Sequence, residues 1–197
     1  MLDDDGSGRK IVLHVGCGPL NPANLHPRYR SAGWREVRLD IDPEVKPDIV
    51  ASIVDPSPVR SETVDAIWSS HNLEHVHAHE VPLVLGGFFR VLRPGGEVLL
   101  TMPDLQSIAA LIARGKLEDT AYVSPAGPIA PLDVVYGHRS SIRKGNVFMG
   151  HRTGFTAKTL SEKLKATGFV DVKVEQDRKE FALWASARKP AELREPR

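Results

Sequence analysis

Two glycines one residue apart, Gly16 and Gly18, close the apolar, β-branched run Ile11 to Val15, with Cys17 between them. Glycines at the carboxyl end of a buried strand let a backbone turn pass very close to a bound ligand, although a plain strand-to-loop turn would want them too. A dinucleotide fingerprint would continue with glycine at position 21. Asn21 stands there, so a smaller nucleoside ligand fits better than NAD or FAD. Asp40 follows about twenty residues later, at the end of a second strand, where a carboxylate can accept two hydrogen bonds from ribose hydroxyls. Asp42 either shares that face, if the strand runs so far, or belongs to a turn with Pro43.

Other polar groups cluster farther along. Ser70-His71-Asn72-Leu73-Glu74-His75 follows a fourth apolar run, the place where open α/β sheets bind ligands. His75, His77 and His79 alternate, which suits metal ligands only on an extended chain; on a helix they splay apart, so no metal site is expected. His138, Arg139, Arg143, Lys144, His151 and Arg152 crowd a stretch without periodicity. They read either as solvated loop charge or as a surface for an anionic or sugar-like ligand.

The elements that would position these groups alternate between strand and helix. Residues 36–42, 48–53 and 64–69 read as strands after the first, and Pro19, Pro22 and Pro27 leave only a short or irregular helix between the first two. Val81, Val84, Leu85, Phe88, Val91 and Leu92 recur at helical spacing, with Pro82 in the first turn and Gly86-Gly87 permitting close packing. Arg93-Pro94-Gly95-Gly96 breaks that helix before a strand over 97–102. Asp104 can cap a helix ending at Gly115, and Thr156 one ending at Gly168. Residues 170–175 and 181–187 close the chain as a hairpin. The expected fold is α/β: a Rossmann-like, doubly wound, seven-stranded, mostly parallel sheet with helices on both faces and an antiparallel C-terminal hairpin. One domain is expected over 10–188, with an irregular insertion about 116–154 that reads as a binding element or lid, a flexible start over 1–9 and a frayed tail over 189–197.

Composition narrows the function classes. The 197 residues are 41% hydrophobic and 26% charged, enough for one well-packed core. Lys and Arg (26) balance Asp and Glu (25), so no overall field favours nucleic acid or an anionic membrane. A lone cysteine excludes an intramolecular disulfide and suits a reducing cytoplasm. The start, Met1 to Gly8, is acidic and flexible instead of basic then apolar, so no signal peptide is expected, and no apolar run approaches ~18 residues, so no membrane span is expected either.

The segments VLHVGCGP, VRLDIDP, VDAIWSSHNLEHV and FFRVLRPGGEVLLTMPD, in that order and spacing, resemble the successive motifs of class I S-adenosylmethionine-dependent methyltransferases of the type 11 group. GFTAKTLSEKLKATGF and the final hairpin are similar to the same family's ending. The resemblance implies S-adenosylmethionine as cofactor and methyl transfer to a small-molecule or glycan-like acceptor. It sets Gly16 and Gly18 at the methionine part of the cofactor, Asp40 at the ribose, and Ser52 with Ile53 at adenine, and counts His14, Cys17 and Ile41 among the cofactor-binding residues. Ser70 and His71 would border the methyl group. His71, His138 and His151 are the candidate bases for the acceptor. Three residues depart from the family pattern. His14 replaces an acid, Leu20 a third glycine and Ser52 an acid that commonly reaches the adenine amino group. These leave open a noncatalytic binding protein of the same fold.

Overall fold

The structure is a computed structural model that describes residues 8–191; the first seven residues of the expected flexible start and the last six of the expected tail lie outside it. Strand β1 (Lys10–Val15) leads through two 3-10 turns, Pro22–Asn24 and Pro27–Tyr29, to β2 (Trp34–Asp40) and β3 (Ile49–Val50). After β4 (Val64–Ser70) come α1 (Val81–Val91), β5 (Leu92–Pro103) and α2 (Leu105–Ile112). The stretch read as irregular holds a small hairpin, β6 (Tyr122–Ser124) with β7 (Gly127–Ile129), then α3 (Pro131–Tyr136) and α4 (Arg139–Arg143). Helix α5 (Ala157–Thr167) precedes the terminal hairpin of β8 (Val170–Asp177) and β9 (Ala182–Arg188).

Seven strands form one sheet in the order β3-β2-β1-β4-β5-β9-β8, with the first five parallel and β9 antiparallel to both its neighbours. The chain leaves β1 toward one edge and crosses back to β4 on its other side. The crevice at the carboxyl ends of β1 and β4 is therefore the sheet's switch point, where open α/β folds bind ligands.

Period-2 alternation splits the strands between two cores. Leu13, Val15, Leu39, Ile67, Leu100 and Leu183 face the larger one, closed by Val84, Leu85 and Phe88 of α1 and Leu160 and Leu164 of α5. Val12, Ala66, Trp68 and Leu99 face the other way and are covered by Leu25 and Tyr29 from the two 3-10 turns. That side needs no long helix, because Tyr29 and the tryptophans supply its area.

Local chemistry sets several boundaries. β2 stops at Asp40 because Asp42, followed by Pro43, accepts a hydrogen bond from the Glu44 amide and caps a 3-10 turn. Asp42 is thus a turn residue, and the second strand starts and ends two residues before its expected bounds. β3 keeps only two residues of the expected 48–53, since the Ser52 hydroxyl accepts from the Val54 amide in a turn. The Arg93-Pro94-Gly95-Gly96 segment, expected as a break, lies within β5 as a bulge: Val64 pairs with Leu92, and pairing resumes at Ala66 with Glu97. Of the two helical glycines, Gly87 permits the close approach of Pro56, whereas Gly86 has open space beside it. Lys189, expected in a frayed tail, is buried; its Nζ donates to Glu62 Oε1 and the Leu92 carbonyl.

Candidate functional site

Both loop glycines adopt the left-handed region, Gly16 at φ +62° and Gly18 at φ +61°. The Gly18 amide donates to Asp40 Oδ2 at 2.8 Å and the Asp42 amide to Oδ1 at 3.0 Å, so the carboxylate and the loop form one unit. Each carboxylate oxygen keeps a second acceptor site, as a ribose diol needs. Gly16 abuts Asn72: a Cβ there would stand 2.5 Å from Asn72 Nδ2. Among the described residues, this buried Asn72 Nδ2 and the Oγ1 of Thr101, on β5 opposite Ser70, have no hydrogen-bond partner. Orphaned donors at the strand ends beside a glycine loop fit a polar ligand in the crevice.

Arg38, which the sequence reading did not single out, fastens this loop from below. Its guanidinium donates to the Gly18 carbonyl at 2.5 Å and to the Val45 and Lys46 carbonyls, tying the glycine loop to the turn after β2. His14 pairs with Arg38 across β1 and β2 and donates from Nδ1 to Glu36 Oε1 at 2.6 Å. Burial pushes the His14 pKa down against the opposing pull of Glu36. His14 is closed off beneath the loop, and its reach toward a ligand runs through Arg38 and Glu36.

The remaining cofactor candidates divide by what they can offer. Cys17 is buried, and burial raises its thiol to about 11, so this position contributes backbone. Ile41 is 48% exposed immediately after Asp40, an apolar surface on which a base could lie. The side chain of Ile53 belongs to the larger core instead of the crevice, and the hydroxyl of Ser52 serves its own turn. Leu20, at the position of the missing third glycine, is 75% exposed. Ser70 ends β4 opposite Thr101.

His71 turns the chain out of β4 at φ +48°, with its amide donating to the Thr101 carbonyl at 2.8 Å. Strain of that kind in a non-glycine residue gathers at functional sites. Its Nδ1 stands 3.3 Å from Glu74 Oε1, an ion-pair distance without hydrogen-bond geometry. Burial opposes the charged imidazole, but Glu74 outweighs it and holds the His71 pKa above its ordinary value. The same histidine, with His75 and His151, holds the Glu74 carboxyl low against its own burial.

His151 also lies beside Glu74 and donates from Nδ1 to the Val134 carbonyl at 2.7 Å; burial lowers its pKa. Glu74 and His151 line a cleft of about 210 Å³ with Pro103, Leu105, Val134, Tyr136 and Arg152. His71 and His151 thus meet around one carboxylate, whereas His138 lines a separate cleft with Asp133, Arg139 and Arg143. There His138 Nδ1 is 2.7 Å from Ser141 Oγ, and Arg139 is held by Asp133 at 2.7 Å. Glu74 was missed as an acidic partner because its neighbours come from residues 71 and 151, far apart in the chain.

Residues 13–100 match the family described as methyltransferase domain. No protein of curated function matches the sequence. Among solved structures, a SAM-dependent methyltransferase of Methanosarcina mazei superposes with a TM-score of 0.61 at 17% identity, covering 94% of this chain and 95% of that one. A possible exported protein of Bordetella parapertussis superposes at 0.58 with 20% identity, covering 93% of this chain and 63% of that one, so this chain spans less than two thirds of it. The 1,6-didemethyltoxoflavin-N1-methyltransferase of Burkholderia thailandensis, with 1,6-didemethyltoxoflavin and S-adenosylhomocysteine bound, superposes at 0.54 with 17% identity, covering 93% of this chain and 72% of that one. At these identities the likeness is one of fold. Among the described residues no helix is long and apolar enough to cross a membrane.

Proposed function

We propose that the chain, whose residues 13–100 match a methyltransferase domain, is a class I methyltransferase that transfers the methyl group of S-adenosylmethionine to a small-molecule or glycan-like acceptor. The observation that carries this reading is the Gly18 amide bonded to Asp40, which fixes loop and carboxylate together at the switch point. In it, the backbone at Gly16, Cys17 and Gly18 holds the methionine part, and Asp40 accepts from the ribose hydroxyls. Ile41 and the backbone at Ser52 and Ile53 flank the base, and Ser70 and His71 border the methyl group.

S-adenosylmethionine supplies an activated methyl and its own leaving group. The chain's task is to align an acceptor in line with that methyl, exclude water, and take the acceptor's proton. His71, at the mouth between the loop and the Glu74 cleft, is the proposed base. His151, which lines the Glu74 cleft, is the second candidate, and His138, in its own pocket, the third. A cleft of about 210 Å³ suits a compact acceptor. Arg152 on its rim favours an anionic or oxygen-rich one. The balanced charge and the lone, buried Cys17 support a small-molecule acceptor over nucleic acid and a cytoplasmic site of action.

The test is calorimetry of the purified chain with S-adenosylmethionine and S-adenosylhomocysteine. Binding of both with one site per chain is expected, and no heat with either at millimolar concentration refutes the reading in favour of a binding protein that has lost cofactor affinity. Acceptor classes are then screened by release of S-adenosylhomocysteine.

A further inference from the structure

The carboxylate of Glu74 is 1% exposed, and among the described residues neither oxygen has a hydrogen-bond partner. A buried carboxylate is costly unless it is paired in good geometry or coordinates a metal. His71 offers only a 3.3 Å approach from a half-exposed ring and cannot satisfy both oxygens. The other groups that face the carboxylate are two imidazoles, and one donor atom each of Glu74, His75 and His151 lies within 4.8 Å of the others.

Both imidazoles are set up as ligands. His75 Nδ1 is 3.1 Å from the Gly150 carbonyl and His151 Nδ1 is 2.7 Å from the Val134 carbonyl. A carbonyl only accepts, so each Nδ1 carries a proton, and in each ring Nε2 is the nitrogen left for a metal ion to take. A histidine whose second nitrogen donates to a carbonyl is the arrangement that orients a metal-bound ring and raises its basicity. The backbone holds the groups together as well: the Arg152 and Thr153 amides donate to the Glu74 carbonyl at 2.8 and 3.2 Å, and the His151 amide to the Tyr136 carbonyl. The two rings pack edge-on with centroids 4.9 Å apart.

We propose that Glu74, His75 and His151 form a binding site for one divalent transition-metal ion of the zinc class. One carboxylate and two imidazoles make a borderline donor set that suits zinc, cobalt or iron over magnesium or calcium. A tetrahedral ion at about 2.0 Å from its ligands sets them about 3.3 Å apart, so the three side chains close inward by small torsional adjustments when the ion enters. Three protein ligands leave a coordination position open, and Glu74 and His151 both line the cleft onto which it opens. An ion here also pins the end of the 116–154 insertion to the polar turn after β4. The site uses no cofactor-binding residue, so it stands apart from cofactor binding; it takes His151 as a ligand and thereby leaves His71 and His138 as the candidate bases.

The experiment is a Co²⁺ titration of the full chain, stripped of metal, without an affinity tag and without S-adenosylmethionine, followed by visible absorption and by displacement with Zn²⁺. One equivalent is expected to develop the intense d–d bands of four- or five-coordinate cobalt, and Zn²⁺ to abolish them. Glu74→Gln and His151→Gln should each weaken binding by at least about 100-fold. A His77→Ala/His79→Ala double variant should leave it unchanged; those two rings are exposed and stacked on each other outside the site. Wild-type protein that leaves cobalt octahedral overturns the proposal without recourse to any variant. Binding that survives Glu74→Gln but is lost in the His77/His79 variant overturns it too, and assigns the metal to an adventitious surface pair. A negative titration leaves calorimetry with S-adenosylmethionine unaffected, so the two readings fail separately.

Discussion

Replacing Gly16 by alanine perturbs the loop in two separable ways. A residue with a Cβ held at φ +62° costs about 1 to 2 kcal/mol. The new methyl would also stand 2.5 Å from Asn72 Nδ2, 2.6 Å from Cγ and 2.9 Å from Oδ1, closer than carbon tolerates, so Asn72 must be displaced from a packed position. Overpacking of that kind costs about 1 to 3 kcal/mol. The total, about 2 to 5 kcal/mol, should lower Tm by roughly 2 to 4 °C per kcal/mol for a domain of this size. Asn72→Ala removes the obstruction and leaves the backbone cost. Adding Gly16→Ala to it should therefore cost only about 1 to 2 kcal/mol, a coupling of about 1 to 3 kcal/mol between the two positions. Urea denaturation of the four proteins measures the cycle, and calorimetry with S-adenosylhomocysteine follows loop geometry in parallel. If the two substitutions add without coupling, Asn72 does not seat against the loop. If Gly16→Ala costs less than about 0.5 kcal/mol, the left-handed turn itself is wrong.

Asp40→Ala should weaken S-adenosylhomocysteine binding by about 1 to 3 kcal/mol through lost hydrogen bonds, and unchanged calorimetric affinity would show that the ribose is held elsewhere. Arg38→Met keeps the buried stem but frees the Gly18, Val45 and Lys46 carbonyls; cofactor affinity should fall at least about tenfold although Arg38 itself lies under the loop. His71→Gln should lower turnover by about 10² to 10⁴-fold while cofactor affinity stays within about threefold, once an acceptor is in hand. Burial pushes the Asp133 carboxyl up, but hydrogen bonds from Arg139 and from the Ala130 and Arg139 amides outweigh it and hold its pKa below the ordinary value. Its stabilising contribution is thus complete above the usual carboxylate range, near pH 4, and is lost as pH falls through the depressed value. Asp133→Asn should cost about 1 to 3 kcal/mol at pH 7 and flatten the acid limb of urea midpoints measured from pH 6 to 3.

The parts legible in the sequence are those whose signal is local. Gly16, Gly18 and Asp40 announce themselves by residue type at a strand end, and Thr156 and Gly168 bracket α5 by their capping chemistry. The role of Arg38 leaves no such trace, because it serves three backbone carbonyls and any sequence supplies those. The Glu74 cluster joins residues 77 positions apart, from 74 to 151, and only the docking of the insertion brings them together. The insertion read as irregular because its strands have three residues and its helices five or six, too short for periodicity to develop. Ile53 fits a cofactor strand by sequence, but β3 ends at Val50 and the turn swings its side chain into the core.

All three tryptophans of the chain, Trp34, Trp68 and Trp184, gather on the side of the sheet closed by the two 3-10 turns. The Trp68 indole N–H donates to the Asn24 carbonyl, and Asn24 Nδ2 donates in turn to the carbonyls of Cys17 and Pro19. Trp68 and Trp184 stack with centroids 5.8 Å apart and an interplanar angle of 20°. The indole of Trp68, at the centre of this tryptophan cluster, therefore lies one hydrogen-bonded asparagine away from the glycine loop. A coupled indole pair so placed makes the protein its own optical probe: occupancy of the loop is readable from intrinsic fluorescence and near-ultraviolet circular dichroism, without a label.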